Sequence, residues 1–271
     1  MIRAGCKSRG MTSIVAIVFV FAAFAPARAW VGGPGGLPAG AAGTAASAQS
    51  SDEDSDNAPR LMAVGDFNGD GIADVAEAIP VAGDRPGPGV LTVSLGHADG
   101  TYQRMESSPV LGRAPSSIVT RDFNGDGILD LIVGDDDGAL TLFIGDGTGK
   151  FVPSGDIARL DSVVSIAVAD FNHDGIPDVA VSDWRASSVT VLLGAGKGAF
   201  RQAWSFPLRM PGTVAHIVAA DFNRDGIPDL AVVYGSDDGN TFEVMLSNGD
   251  GTFTYAPSLS FVRDPTSHCD T

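Results

Sequence analysis

One nine-residue phrase occurs four times in this sequence: DFNGDGIAD (66–74), DFNGDGILD (122–130), DFNHDGIPD (170–178) and DFNRDGIPD (221–229). Successive copies begin 56, 48 and 51 residues apart (66 to 122, 122 to 170, 170 to 221). Self-similarity at a period of roughly 50 residues marks a repeat architecture, in which no unit buries its apolar faces alone and stacking supplies a continuous core. The period therefore limits the fold before any single residue is interpreted.

Around each copy the same order of segments returns. A short apolar run (LMAVG, SSIVT, VSIAVA, HIVAA) leads into the acidic phrase, and a second run (DVAEAI, DLIVG, DVAVS, DLAVVY) leaves it. After a polar turn comes a third run (VLTVSLG, ALTLFIG, SVTVLLG, FEVMLSN), then a Gly-rich turn ending on Tyr102, Phe151, Phe200 or Phe253 and a less regular fourth segment. Short runs rich in Val, Ile and Leu, bounded by Gly, Asp, Asn and Pro, read as strands. Four strands per unit is a propeller-blade signature, so the expected fold is all-β, a propeller-like array of four four-stranded blades. First and second runs that are apolar on both faces suit strands sandwiched between blades, whereas the third runs alternate more and are expected farther out. Phe67, Phe123, Phe171 and Phe222, at position 2 of each phrase, are expected to wedge between blades.

The phrase itself has the makings of a cation cage. Positions 1, 3 and 5 carry oxygen side chains on alternate residues, position 6 is a glycine that permits a sharp bend, and position 9 is an aspartate. The carbonyl of position 7 adds another oxygen. The expected ligands are Asp66, Asn68, Asp70, Ile72 and Asp74; Asp122, Asn124, Asp126, Ile128 and Asp130; Asp170, Asn172, Asp174, Ile176 and Asp178; and Asp221, Asn223, Asp225, Ile227 and Asp229. With a water, six or seven oxygens suit calcium, since magnesium demands stricter octahedral geometry and zinc prefers His and Cys. The expectation is up to four Ca2+ ions. A single such loop reads equally well as an ordinary Asp-Gly or Asn-Gly turn. Four copies with positions 1, 3, 5, 6 and 9 fixed while position 4 drifts favour the ligand reading.

The first copy also satisfies the EF-hand expression, with Glu77 at position 12. Val133, Val181 and Val232 stand at that position in the other copies, and the flanks are strand-like rather than helical, so the shared closing residue is the aspartate at position 9.

The four D-F-N-x-D-G-I-x-D loops, followed by stretches such as SVTVLLGAGKGAF and FEVMLSNGDGTF, resemble the FG-GAP or VCBS-type repeats of exported bacterial proteins, relatives of integrin α-chain propeller blades. The resemblance covers about residues 58–262. It implies a β-propeller with calcium held in the hairpin loop between the first two strands of each blade, and a role in adhesion or recognition. The literal FG and GAP dipeptides are absent. Relatives often close with seven blades whereas this chain has four, which leaves ring closure, an open arc and self-association to complete a ring as alternatives.

The segments outside the repeats bear on location. Arg3, Lys7 and Arg9 precede an apolar run from Met11 to Ala25 and a small-x-small site at Ala27-Arg28-Ala29, the pattern of a secretory signal peptide over residues 1–29. The run is shorter than the roughly 20 residues of a spanning helix, so a secreted chain (extracellular, periplasmic or cell-surface) with no membrane span in its mature form is expected. Residues 30–57, rich in Gly, Ala and Ser and ending in SSDEDSDN, read as a flexible linker, residues 58–263 as the repeats and 264–271 as a tail. Without residues 1–29 the chain holds 13 basic against 33 acidic residues, a net charge of −20 that excludes nucleic acid as a partner and favours cations. Only Cys269 would remain, so calcium takes the place a disulfide often fills in exported domains.

No other chemistry is legible. His97, His173, His216 and His268 do not cluster at ligand spacing, and neither a G-x-S-x-G elbow nor a P-loop is present. A non-enzyme is expected. Asp135 to Asp137 and Asp237-Asp238 read as turn residues. Trp184, Trp204, Tyr234 and Tyr255 read either as blade packing or as a recognition surface for glycan or protein. Two other classes stay open: an exported polysaccharide hydrolase or lyase built on the blades, and a structural envelope module.

Overall fold

The computed structural model describes residues 46–48, 60–80, 88–105, 109–208, 214–236 and 239–256, all within one compact unit, Gly33–Thr271. The segments read as signal peptide and tail, most of that read as linker, Asp237-Asp238 and His268 lie outside the described residues, as does the side chain of Tyr234.

The described chain is all-β. Blade 1 follows a three-residue strand, β1 (Ala46–Ala48), that falls inside the segment read as linker and pairs antiparallel with β2. The blade comprises β2 (Arg60–Gly65), β3 (Asp74–Pro80), β4 (Pro88–Gly96) and an interrupted fourth strand, β5 (Tyr102–Arg104) and β6 (Val110–Arg113), both paired with β4. Blade 2 is β7 (Pro115–Arg121), β8 (Asp130–Asp135), β9 (Ala139–Gly145) and β10 (Phe151–Arg159). Blade 3 is β11 (Val163–Ala169), β12 (Asp178–Asp183), β13 (Ser188–Gly194) and β14 (Phe200–Pro207), and blade 4 is β15 (Val214–Ala220), β16 (Asp229–Ser236), β17 (Gly239–Ser247) and β18 (Phe253–Tyr255). Within each blade the strands pair antiparallel in sequence order, as a meander. First strands of successive blades neighbour one another, β2 with β7, β7 with β11 and β11 with β15. The four sheets form a propeller-like array that is not closed into a ring.

Burial follows from that stacking. Each layer of core lies between two blades rather than within one. Ala63, Phe67 and Leu91 of blade 1 meet Ile118, Leu131 and Phe143 of blade 2. Val119, Phe123 and Leu142 of blade 2 meet Ile166, Val179 and Leu192 of blade 3. Phe171, Val191 and Leu193 of blade 3 meet Ile217, Leu230 and Met245 of blade 4. Second strands β8 and β12, covered on both faces, are buried along their whole length, whereas β3 in the first blade alternates between buried and half-buried residues.

The third strands differ from expectation. They are third in order, yet β13 is buried at every residue after its first, because the neighbouring blade is wide enough to cover it. Two of the alternating threonines are buried hydroxyls with partners: Thr92 Oγ1 accepts from Arg104 and Thr190 Oγ1 bonds Ser205 Oγ. The fourth strands are more open, as in β10, where five consecutive residues after Phe151 are exposed.

Candidate metal loops

Each acidic phrase forms the connection between the first and second strands of its blade, and the four copies fold alike. In the first, Asp66 Oδ1 accepts the N–H groups of Gly69 (2.7 Å) and Asp70 (3.1 Å), while Oδ2 accepts that of Gly71 (2.8 Å). Asp70 Oδ1 accepts the N–H of Ile72 at 2.8 Å, and Asn68 bonds Asp70 through both its amide atoms. Asp122, Asp170 and Asp221 likewise accept from Gly127, Gly175 and Gly226, and Asp126, Asp174 and Asp225 from Ile128, Ile176 and Ile227. Carboxylates accepting the turn's own amides fix a tight bend, in which position 5 is exposed in every copy while positions 1 and 3 are half-buried in the first three and exposed in the fourth.

The bend takes two left-handed residues. Position 6 has φ between 82° and 91° in all four copies, which only glycine adopts freely. Position 4 is also left-handed, at Gly69 and Gly125 but equally at His173 (φ 60°) and Arg224 (φ 66°). The drift of residue type at position 4 thus hides a fixed backbone, and two copies carry the strain of a side chain there.

Position 9 behaves unlike the other acids. Asp74, Asp130, Asp178 and Asp229 are fully buried. Asp74 Oδ2 accepts the N–H of Phe67 and Oδ1 that of Gly96, each at 2.8 Å, pinning the start of the loop to the end of the third strand. Asp130 does so with Phe123 and Gly145, Asp178 with Phe171 and Gly194, and Asp229 with Phe222 and Ser247. Burial pushes the carboxyls of Asp74, Asp130 and Asp178 up, that of Asp178 to about 6, against the lowering effect of these amides. The staple partner was missed in the sequence, although the recurring glycine that ends VSLG, LFIG and VLLG marks it.

The loop aspartates form no ion pair among the described residues, although Arg224 sits at position 4 of the fourth loop. Among the described residues the ion pairs join Arg113 to Asp137, Arg159 to Asp156 and Arg185 to Asp136, and none reaches a loop aspartate. Among the described residues no three His, Cys, Asp or Glu side chains gather closely enough to hold a metal ion. The donor set is nonetheless all oxygen, hard and negatively charged: Asp, Asn and Asp on the turn, the carbonyl of position 7, and the buried aspartate of position 9. That chemistry fits calcium.

Three loop phenylalanines are the expected wedges. Phe67 packs edge-on against Phe151 (ring centroids 5.2 Å apart), Phe123 against Phe200 (5.9 Å) and Phe171 against Phe253 (5.4 Å), each partner being the aromatic that closes the turn of the next blade. No further blade follows Phe222 among the described residues, and its side chain is 45% exposed. Elsewhere, Trp204 packs with Phe206 and Phe253 between blades 3 and 4, and Tyr255 donates its hydroxyl to Pro207 O. Trp184 is exposed beneath the Arg185 guanidinium. Asp135 accepts the N–H of Ala139 across its own turn, whereas Asp136 accepts the hydroxyl of Ser162, which lies just before the first strand of blade 3.

A family model described as FG-GAP-like repeat matches residues 66–133, 122–181 and 174–232. No curated protein matches the chain.

Proposed function

The chain belongs to the FG-GAP-like repeat family, and we propose that it is a secreted, non-catalytic module that binds calcium in its four acidic loops and recognises a glycan or protein. The observation that carries the reading is the fourfold return of one loop geometry, with three aspartates per loop that form no ion pair among the described residues. Carboxylates on one turn repel one another, and burial pushes those of Asp74, Asp130 and Asp178 up; a divalent cation drawn in by the loop oxygens would relieve both. Asp66, Asn68, Asp70, Ile72 and Asp74, with their counterparts in the other blades, would hold it. The ion supplies charge neutralisation and rigidity.

The non-catalytic reading rests on what the loops already do. Their acids are the proposed calcium ligands, which takes them out of the acid–base work a glycosidase needs. Export follows from the pattern of residues 1–29, and no helix among the described residues is long and apolar enough to cross a membrane. Calcium titration by calorimetry tests the metal, with saturable heat expected and its absence overturning the reading. Binding of the calcium-loaded protein to a glycan array tests recognition.

A further inference from the structure

Consecutive blades join through one repeated contact that has a plug and a socket. The plug is the loop phenylalanine together with the residue that precedes the end of the third strand; the socket is the closing aromatic of the next blade and the glycine two residues before it. A Cβ on Gly149 would stand 2.7 Å from Leu95, one on Gly198 2.9 Å from Leu142 and 3.8 Å from Ile144, and one on Gly251 2.9 Å from Leu193. The glycine N–H also crosses the junction: Gly149 and Gly198 each donate to the carbonyl of the preceding loop phenylalanine, Phe67 and Phe123, at 3.0 Å.

One plug and one socket are left over. On blade 4, Phe222 is 45% and Val218 41% exposed, while Ala63, Val119 and Ala167, at the position of Val218 in the other blades, are buried. On blade 1, Tyr102 stands where Phe151, Phe200 and Phe253 stand and is 58% exposed. Gly100 occupies the socket position, nothing lies within 4 Å of its Cβ site, and its N–H turns back to His97 O at 2.9 Å instead of crossing a junction.

We propose that blade 4 of one copy seats blade 1 of a second copy through this same contact, Phe222 packing on Tyr102 of the second copy. The argument is continuity: at the loop end the unfilled halves stand position for position where the halves that meet three times inside the chain stand. A heterologous contact of this kind closes when rotation brings the ends round, and two copies supply eight blades, within the roughly four to eight of closed propellers. The middle of the receiving face is more polar than its counterparts. Val75, Glu77 and Ser94 take the places held in blade 2 by Leu131, Val133 and Phe143, as the matching strand registers show. The contact is therefore anchored at the loop end and reversible, unlike the internal junctions.

Sedimentation of the purified chain in calcium, from about 1 to about 100 µM, is expected to show a monomer–dimer equilibrium. Phe222→Ser and Tyr102→Ser, both at exposed positions, are each expected to weaken it at least about tenfold, with unchanged circular dichroism. In a background with Cys6 and Cys269 replaced by serine, Phe222→Cys and Tyr102→Cys chains mixed with a short bis-maleimide are expected to cross-link to one another. A monomer throughout the range, a dimer indifferent to both serine substitutions, or cross-linking of Phe222→Cys only to itself would overturn the proposal.

Discussion

Phe171 and Phe222 occupy the same position of the same phrase, donate the same backbone N–H to the same buried aspartate, and end differently: one is fully buried and the other half exposed. The local chain is alike in both, so the difference lies in the neighbour. What the motif fixes by itself is the bend, the staple and the direction of the ring. What it leaves to the array is burial, and with it most of the apolar stabilisation.

The largest effect should be indifferent to that contrast. If each loop binds calcium with the affinity of about 10⁻⁴ M usual for extracellular modules, ~1 mM calcium stabilises each by roughly 1.4 kcal/mol and the four by ~6 kcal/mol. Chelation with EDTA should then lower the melting temperature by roughly 12–24 °C in a scanning calorimeter. A melting temperature unmoved by EDTA would remove the loops from the energetic account.

The next effect should divide the two phenylalanines. Phe171→Ala empties a fully buried site between blades and should cost about 3–5 kcal/mol in urea unfolding, whereas Phe222→Ala should cost about 1 kcal/mol or less at a concentration where the chain is monomeric. Equal losses would show that the exposed ring is covered in solution.

Acid should act through the staple. Because burial raises the Asp178 carboxyl to about 6, the folded metal-free chain holds that proton more tightly than the unfolded chain, whose carboxyl titrates near 4. The unfolded state therefore binds fewer protons between these values, and this group makes the metal-free protein more stable as pH falls from about 6 toward about 4. Thermal melts in EDTA should follow that sign, and Asp178→Asn should flatten the dependence. Calcium competes with the proton, so melts in calcium should show the opposite slope.

The smallest effect should again ignore the neighbour. His173→Gly and Arg224→Gly each relieve a left-handed side chain and should stabilise by about 1 kcal/mol, alike in blade 3 and blade 4. A gain confined to one of them would mean that position 4 is set by packing rather than by local strain.

How much of this was legible follows the same line between local and non-local causes. The strands, their order and the loop between first and second strands were readable because alternating runs, turn residues and the DFNxDGIxD phrase are local signals. The wedge role of position 2 could be inferred from recurrence. The staple from Asp74 to Gly96 could not, since its partner lies on another strand and is a backbone amide. Nor could the burial of the third strands, where Thr190 looks like a solvent-facing residue until its hydroxyl partner Ser205 is in view. The contrast between the two ends was present as Glu77 and Ser94 against Val133 and Phe143, and it acquires meaning only once strand register shows which positions correspond.

Anomalous scattering from crystals grown in millimolar calcium tests the central claim most directly. The account predicts a calcium peak in each acidic loop, about 2.3–2.6 Å from oxygens of Asp66, Asn68 and Asp70 and of their counterparts in the other blades. Four well-ordered loops with no peak, their carboxylates still holding only turn amides, would contradict it.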